Sequence, residues 1–402
     1  ALTTGDHNIA IGSSAGDALV AGGKNIAIGF EALSTEDGHG ETVAIGYQAL
    51  KTQNAGASGL NVAVGYQAGT AVTTGVKNVI VGASAGVALA GGANNTAVGY
   101  EALSTEDGHG NNTAIGYRAL KTLNAGADAY NIGIGSDAGL SFTTGIRNVI
   151  IGGIAGDALT DADFNIGIGY QSLTTDTKGS KSTAVGYRTL ANQNFSTSTD
   201  SLNTAVGADA GLSVTTGIQN TLIGAETGDA LTEGSRNVAV GRNALSADTL
   251  GSRSTALGRN SLASQNFTTA TDSNNVAVGY NSGASVTTGI LNTLVGGEAG
   301  DALTEGGRNV AMGKGALSFD TLGSRSVALG QSALSAQNFT TATNSHNTAV
   351  GHAAGGAVTT GISNTLIGGL AGDALTDADR NVAIGYATLS SDTLGSRSVA
   401  IG

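Results

Sequence analysis

Residues 111–120 read NNTAIGYRAL, and nearly the same string stands at 41–50 (ETVAIGYQAL), 94–103 (NNTAVGYEAL) and 181–190 (KSTAVGYRTL). A single Asn-x-Ala-Ile-Gly could edge any loop. A string that returns along all 402 residues is an architecture, so its period is read before any motif. The Gly closing each aliphatic stretch marks that period: Gly12, Gly29, Gly46, Gly65 and onward to Gly385 and Gly402, 23 markers in all. Most lie 17 residues apart, and every fourth interval is stretched to 19 or 21. Residues 29–46 return at 99–116, 70 further on, and 241–258 return at 313–330, 72 further on. Four coils therefore make one super-repeat.

The columns of this repeat carry a secondary-structure reading. The residue before each marker is apolar, and three before it stands Ile, Val or Thr. Residues two apart share a strand face, and β-branched types suit strands. Between them sits Ala or Gly, except for Ile80, Ile150, Leu222, Leu294 and Leu366, which hold the same coil of each super-repeat. A strand apolar on both faces is expected to be covered on both. Four before the marker is Asn in 18 coils: Asn8, Asn25, Asn61, Asn78, Asn95, Asn112, Asn131, Asn148, Asn165 and onward. In register, these predict a structural ladder, each side-chain amide bonding its neighbours above and below. The lack of Pro agrees, since Pro deletes a ladder hydrogen bond. The second half of a coil is either Ala-Leu (Ala32-Leu33, Ala316-Leu317) or Ala-Gly with an apolar residue three further on (Leu19, Leu303).

This pattern predicts an all-β fold, a parallel β-solenoid of about 23 coils over 1–402. It is expected as one continuous body without separate domains and as a segment of a longer fibre. At about 4.8 Å per coil the rod is roughly 110 Å long. Each coil buries few aliphatic side chains, so stability must come from summed neighbour interfaces. The Ala column is expected to need cover, from side-by-side identical chains or from continuation of the rod.

Composition narrows the partners. The chain has 65 Gly, no Cys and a formal charge of −12. Such acidity argues against nucleic acid, and without Cys there are no disulfides or thiolate metal sites. No run reaches 18 apolar residues, so membrane insertion of this segment is not expected.

The strings NTAVGYEAL (95–103), NIAIGFEAL (25–33) and NVAIGYATL (381–389) resemble repeats of phage and bacterial tail-fibre-type proteins. They are also similar to the head repeats of trimeric autotransporter adhesins, from which this chain departs in its longer coils and four-coil super-repeat. The resemblance implies a trimeric, extracellular fibre on a virion or cell-surface appendage, with attachment as its role. It brings no catalytic residues. Self-association as a homotrimer or filament is the expected partnership, with a surface glycan or receptor as a further partner.

Candidate sites are few. Eight of the nine Tyr directly follow a marker: Tyr47, Tyr66, Tyr100, Tyr117, Tyr170, Tyr187, Tyr280 and Tyr386. Phe30 shares the slot, while Arg242, Arg259, Lys314, Gln331 and His352 fill it elsewhere, so it must reach solvent. Such rings can stack within the fibre, which is the preferred reading, or form a surface contact ladder for sugar faces or a partner fibre. Two STEDGHG loops gather Glu36, Asp37, His39 and Glu106, Asp107, His109, which read as solvated turns rather than a cation site. Later super-repeats put DTLGSRS there (248–254, 320–326), read as an Asp–Arg pair. The AGDAL Asp residues (Asp17, Asp157, Asp229, Asp301, Asp373) come once in four coils and read as turn caps. Ten of the 18 Lys and Arg stand five before a marker, including Lys24, Arg147, Arg236 and Arg380, as a solvated ridge. Phe195, Phe267 and Phe339 in the stretched intervals are expected to plug the coil flank. The expected function is a structural or adhesive fibre shaft, not an enzyme, with no metal or cofactor. The alternative is a polysaccharide-binding or -degrading tailspike-like solenoid. An ice-binding solenoid is disfavoured, because TTG (Thr73-Thr74, Thr143-Thr144) recurs only once in four coils.

Overall fold

A computed structural model describes residues 4–402, and the described residues form no helix. The chain divides into two compact units at Leu202/Asn203. Each unit is a parallel β-solenoid in which every coil contributes one three-residue strand. The first unit runs from Ile9–Ile11 to Thr183–Val185, and the second from Thr204–Val206 to Val399–Ile401. Successive strands pair parallel and in register. Ile26, Ala27 and Ile28 oppose Val43, Ala44 and Ile45. The longer coils keep that register too, with Thr255, Ala256 and Leu257 opposite Val276, Ala277 and Val278.

The marker Gly explains why the strand stops where it does. Gly296 has φ +136°, and a Cβ there would stand 2.6 Å from the carbonyl oxygen of Gly313 on the next coil. An L side chain is strained by the dihedral and blocked by the neighbouring main chain. Each coil thus turns at the same residue, and the turns stack.

Inside the coil the space is small, and its filling produces the four-coil period. The middle residue of each strand points inward. Ala27, Ala44, Ala256 and Ala311 are all fully buried. Where that residue is large, as at Leu294, the position four after the marker is Gly300, whose Cβ would lie 2.8 Å from Leu294 Cδ2. Leu303, three further on, completes that coil's core. In the next two coils a buried Leu replaces that Gly (Leu317, Leu334), and the residue three further on is polar and buried (Asp320, Gln337). In the fourth coil the pattern returns to Gly355 and Val358. The super-repeat is a packing cycle: at most one of the two adjacent positions is large in any coil, and where both are small (Ala349, Gly355) Leu334 and Leu366 of the neighbouring coils fill the space.

The four-residue stretches of three super-repeats add two-residue parallel strands beside the main sheet. Gly179–Ser180 pairs with Thr199–Asp200 in the first unit. Gly251–Ser252 and Gly323–Ser324 pair with Thr271–Asp272 and Thr343–Asn344 in the second. Phe195, Phe267 and Phe339 sit beneath these additions, nearly buried, and close the flank of the wider coil.

Candidate functional site

The outward face of the strands is the largest feature of each unit, and it corrects the sequence expectation. The Ala column fills the interior and needs no outside cover. The two flanking columns of Ile, Val and Thr face out. Val79 (41% exposed), Ile115, Ile166, Ile223, Val238, Ile367 and Ile384 are all exposed, and most of their column neighbours are half-buried. The reason is volume: a coil that already holds a Leu or its equivalent admits only Ala or Gly opposite it in most coils. Ile and Val belong in the outer columns for strand propensity, and they leave an apolar stripe two residues wide along each unit.

One turn later lies the aromatic slot. Phe30 and Tyr47 stack at 5.4 Å between centroids, and Tyr47 and Tyr66 at 5.2 Å. Tyr100 stacks on Tyr117 at 5.5 Å, and Tyr170 on Tyr187 at 5.9 Å. All these rings are exposed, as are Tyr280 and Tyr386. The structure therefore places six of the eight Tyr in short stacks. Tyr280 instead receives Arg259 over its ring at 6.0 Å, and Tyr386 has no stacked ring among the described residues. Two stacks are capped by a cation from the same coil. Arg118 lies 4.9 Å from the Tyr117 centroid and Arg188 lies 5.0 Å from that of Tyr187. Glu101 accepts from Lys121 and also from Tyr100, so its carboxyl falls below the ordinary range while the Tyr100 hydroxyl is pushed up.

The Asn column lies on the opposite, interior side of this surface. Asn25, Asn61, Asn78, Asn95, Asn112, Asn131, Asn148 and Asn165 are buried, and Asn8 is half-buried. Their contacts differ from amide-on-amide stacking. Each Oδ1 accepts the main-chain N–H of its counterpart on the next coil, as Asn61 does from Asn78 at 2.8 Å. Most Nδ2 groups donate to a carbonyl 14 residues ahead, as Asn61 does to Gly75 at 2.8 Å. Asn148 also donates to the amide oxygen below it, Asn131 Oδ1, at 3.2 Å.

A second buried polar network lies beside the Asn column, and the sequence reading of single motifs missed it. The acid of each DTLGSRS loop does not pair with the Arg of that loop. Asp248 Oδ1 accepts the main-chain N–H of Gly251 at 3.0 Å and of Phe267 at 3.3 Å. Its Oδ2 accepts Gln265 Nε2 at 2.6 Å. Gln265 also donates to Ser254 Oγ and accepts from Asn275 Nδ2, each at 2.8 Å. The acid thus ties the added strand to the coil, and Gln carries the Asn ladder across a coil that has Ser in place of Asn. Asp320 and Gln337 repeat the arrangement. Burial raises the Asp248 and Asp320 carboxyls above their ordinary range, against the lowering effect of these donors. Arg253 reaches Asp272 on the next coil instead, at 2.8 Å.

In the first unit Glu36 holds the corresponding position. Its oxygens accept from the main chain of His39 and Ala55, and from Gln53 Nε2. The His39 ring Nδ1 lies 3.2 Å away. Ligating atoms of Glu36, Asp37 and His39 fall within 4.8 Å of one another, as do those of Glu106, Asp107 and His109. Glu36 serves the same anchoring purpose as Asp248, so a structural task already accounts for the buried member.

The AGDAL acids recur singly. Asp157 accepts from Thr174 at 2.6 Å, while one carboxylate oxygen of Asp229, Asp301 and Asp373 is buried without a hydrogen-bond donor. Burial raises the carboxyls of Asp157, Asp229 and Asp301. The basic ridge is laced with contacts: Lys24 with Glu41 at 3.3 Å, Lys181 with Asp200 at 2.6 Å, and Arg147 over Phe164 at 5.4 Å. No pocket opens among the described residues, and no helix is long and apolar enough to cross a membrane. No protein-family model matches the chain, and no curated protein matches it.

Proposed function

We propose that the chain is the shaft of a structural or adhesive extracellular fibre, of the tail-fibre or adhesin-head kind, on a virion or cell surface. The observation that carries this reading is the outward Ile/Val/Thr stripe. Monomeric soluble proteins rarely expose contiguous apolar patches beyond a few hundred Å², and here the stripe recurs with every coil. Homotypic side-by-side association would cover it, and a homotrimer is the state expected. Three recurrent buried features serve coil stacking: the Asn ladder, the Gly turns and the acid–Gln ties. Neither a catalytic group nor a cofactor is part of the proposal.

Sedimentation analysis of the purified chain tests it. The wild type should sediment as an oligomer, and a variant with Ile115→Lys and Ile367→Lys should dissociate while keeping its β-type circular dichroism. A wild type that stays monomeric at tens of micromolar would remove the support for association.

A further inference from the structure

The breaks in the aromatic ladder are not equivalent. Between Tyr117 and Tyr170 the slot holds Ser136 and Gly153, and the Tyr117 face that looks into the break is covered by Arg118. Between Tyr66 and Tyr100 only one coil intervenes, and its slot residue is Ala83. No cation covers either facing ring. The residue after Tyr66 is Gln67, whose Nε2 turns back to Gln48 Oε1 at 3.1 Å. The residue after Tyr100 is Glu101, engaged with Tyr100 itself and with Lys121. Tyr66 is accordingly 54% exposed, more than Tyr47 (41%), which has rings on both sides.

Two coil rises separate the rings, about 10 Å. That is one ring spacing for each face, since Tyr47 and Tyr66 already stack at 5.2 Å. Ala83 therefore floors a slot one ring thick, with an aromatic face on each side. One rim is apolar (Val64, Val81, Val98), and the other carries Gln67, Ser84 and Glu101.

We propose that this slot binds a single pyranose ring of an extracellular polysaccharide. The axial C–H bonds of a flat pyranose carry partial positive charge and pack on the negative faces of aromatic rings. Its equatorial hydroxyls project from the ring edge, where the Gln67 amide oxygen, left over once Nε2 turns to Gln48, and the Ser84 hydroxyl supply an acceptor and a donor. An aromatic side chain of a second copy fits the same thickness but makes no use of the polar rim. The inference does not depend on the fibre reading: a shaft without a sugar slot remains a shaft.

The test uses the intact 402-residue chain with cellohexaose and chitohexaose, whose β-1,4-linked units present flat faces, read by saturation-transfer NMR. Saturation should reach the ring C–H protons of at least one oligosaccharide. Ala83→Tyr fills the slot with a further rung and should weaken binding at least tenfold with the fold intact. Tyr66→Ala should do the same, and Tyr170→Ala, outside the slot, should leave binding unchanged. The proposal is overturned if wild type transfers no saturation to either sugar, or if Ala83→Tyr binds as well as wild type. It is overturned equally if Ala83→Tyr alters only the oligomeric state, since the occupant is then a second copy.

Discussion

Asn292 offers the sharpest stability experiment. Its Nδ2 donates to Gly306 O at 2.9 Å, and its Oδ1 accepts the main-chain N–H of Asn309 at 3.0 Å. The residue is fully buried. Asn292→Ala removes both partners and leaves a carbonyl and an N–H in a space water does not reach. At about 1–3 kcal/mol for each stranded group, the cost is roughly 2–5 kcal/mol. Urea unfolding followed by far-ultraviolet circular dichroism reads this as a midpoint lowered by about 1 M, for a slope near 3 kcal/mol per M. Because a solenoid sums neighbour interfaces, the loss should be local: amide exchange should accelerate most at Asn309 and on the adjacent coils. Lys314→Ala, an exposed change on a nearby coil, should stay within about 0.5 kcal/mol of wild type. If Asn292→Ala were as harmless as the Lys control, the side-chain ladder would not be holding the coils in register.

Two further perturbations probe the turn and the acid tie. Gly296→Ala meets both a φ of +136° and the Gly313 carbonyl; it should cost at least about 3 kcal/mol, and a midpoint within error of wild type would contradict the stacked-turn account. The carboxyls of Asp229, Asp248, Asp301 and Asp320 are raised by burial, so the folded state holds their protons more tightly than the unfolded state does. Their contribution is present below the ordinary carboxylate range and is lost as pH rises through the elevated folded values. The urea midpoint should therefore increase as the pH is lowered from neutrality toward the ordinary carboxylate range, about pH 4. Asp248→Asn with Asp320→Asn should flatten that dependence, and an unchanged slope would show that these acids do not set it.

The strand positions, the register and the turn Gly were legible because each rests on a strict column. A one-residue slip would turn the outer Ile and Val inward, into a column that most coils fill with Ala or Gly. Which face of the strand looks inward was not legible, since Ala and Ile are both apolar. The interior volume decides it, and that volume depends on what Leu317 or Leu303 has already filled. The Asp–Arg reading of DTLGSRS failed for a related reason. Arg253 and Asp248 are close in sequence, but the loop turns the acid inward to main-chain donors and leaves Arg253 to meet Asp272 across the stretched interval. A usable signal was present in one column: Gln53, Gln193, Gln265 and Gln337 each stand 17 residues after an acid, at Glu36, Asp176, Asp248 and Asp320. A polar pair recurring at that offset in a coil interior marks a tie between neighbouring coils. The uncapped faces around Ala83 could not be read from sequence, because whether Arg118 or Gln67 leans forward or back is a matter of side-chain direction.

In-register stacking is measured most directly by electron–electron distances between spin labels, since the chain has no native Cys to compete. Within the second unit, Ala208, Arg259, Gln331 and His352 hold the same exposed slot. Labelled Cys pairs at 208/259, 259/352 and 208/331 are three, five and seven coils apart. Distances near 14, 24 and 34 Å, rising linearly at about 4.8 Å per coil, are the predicted result. Distances that level off, or that do not order with coil number, would contradict it.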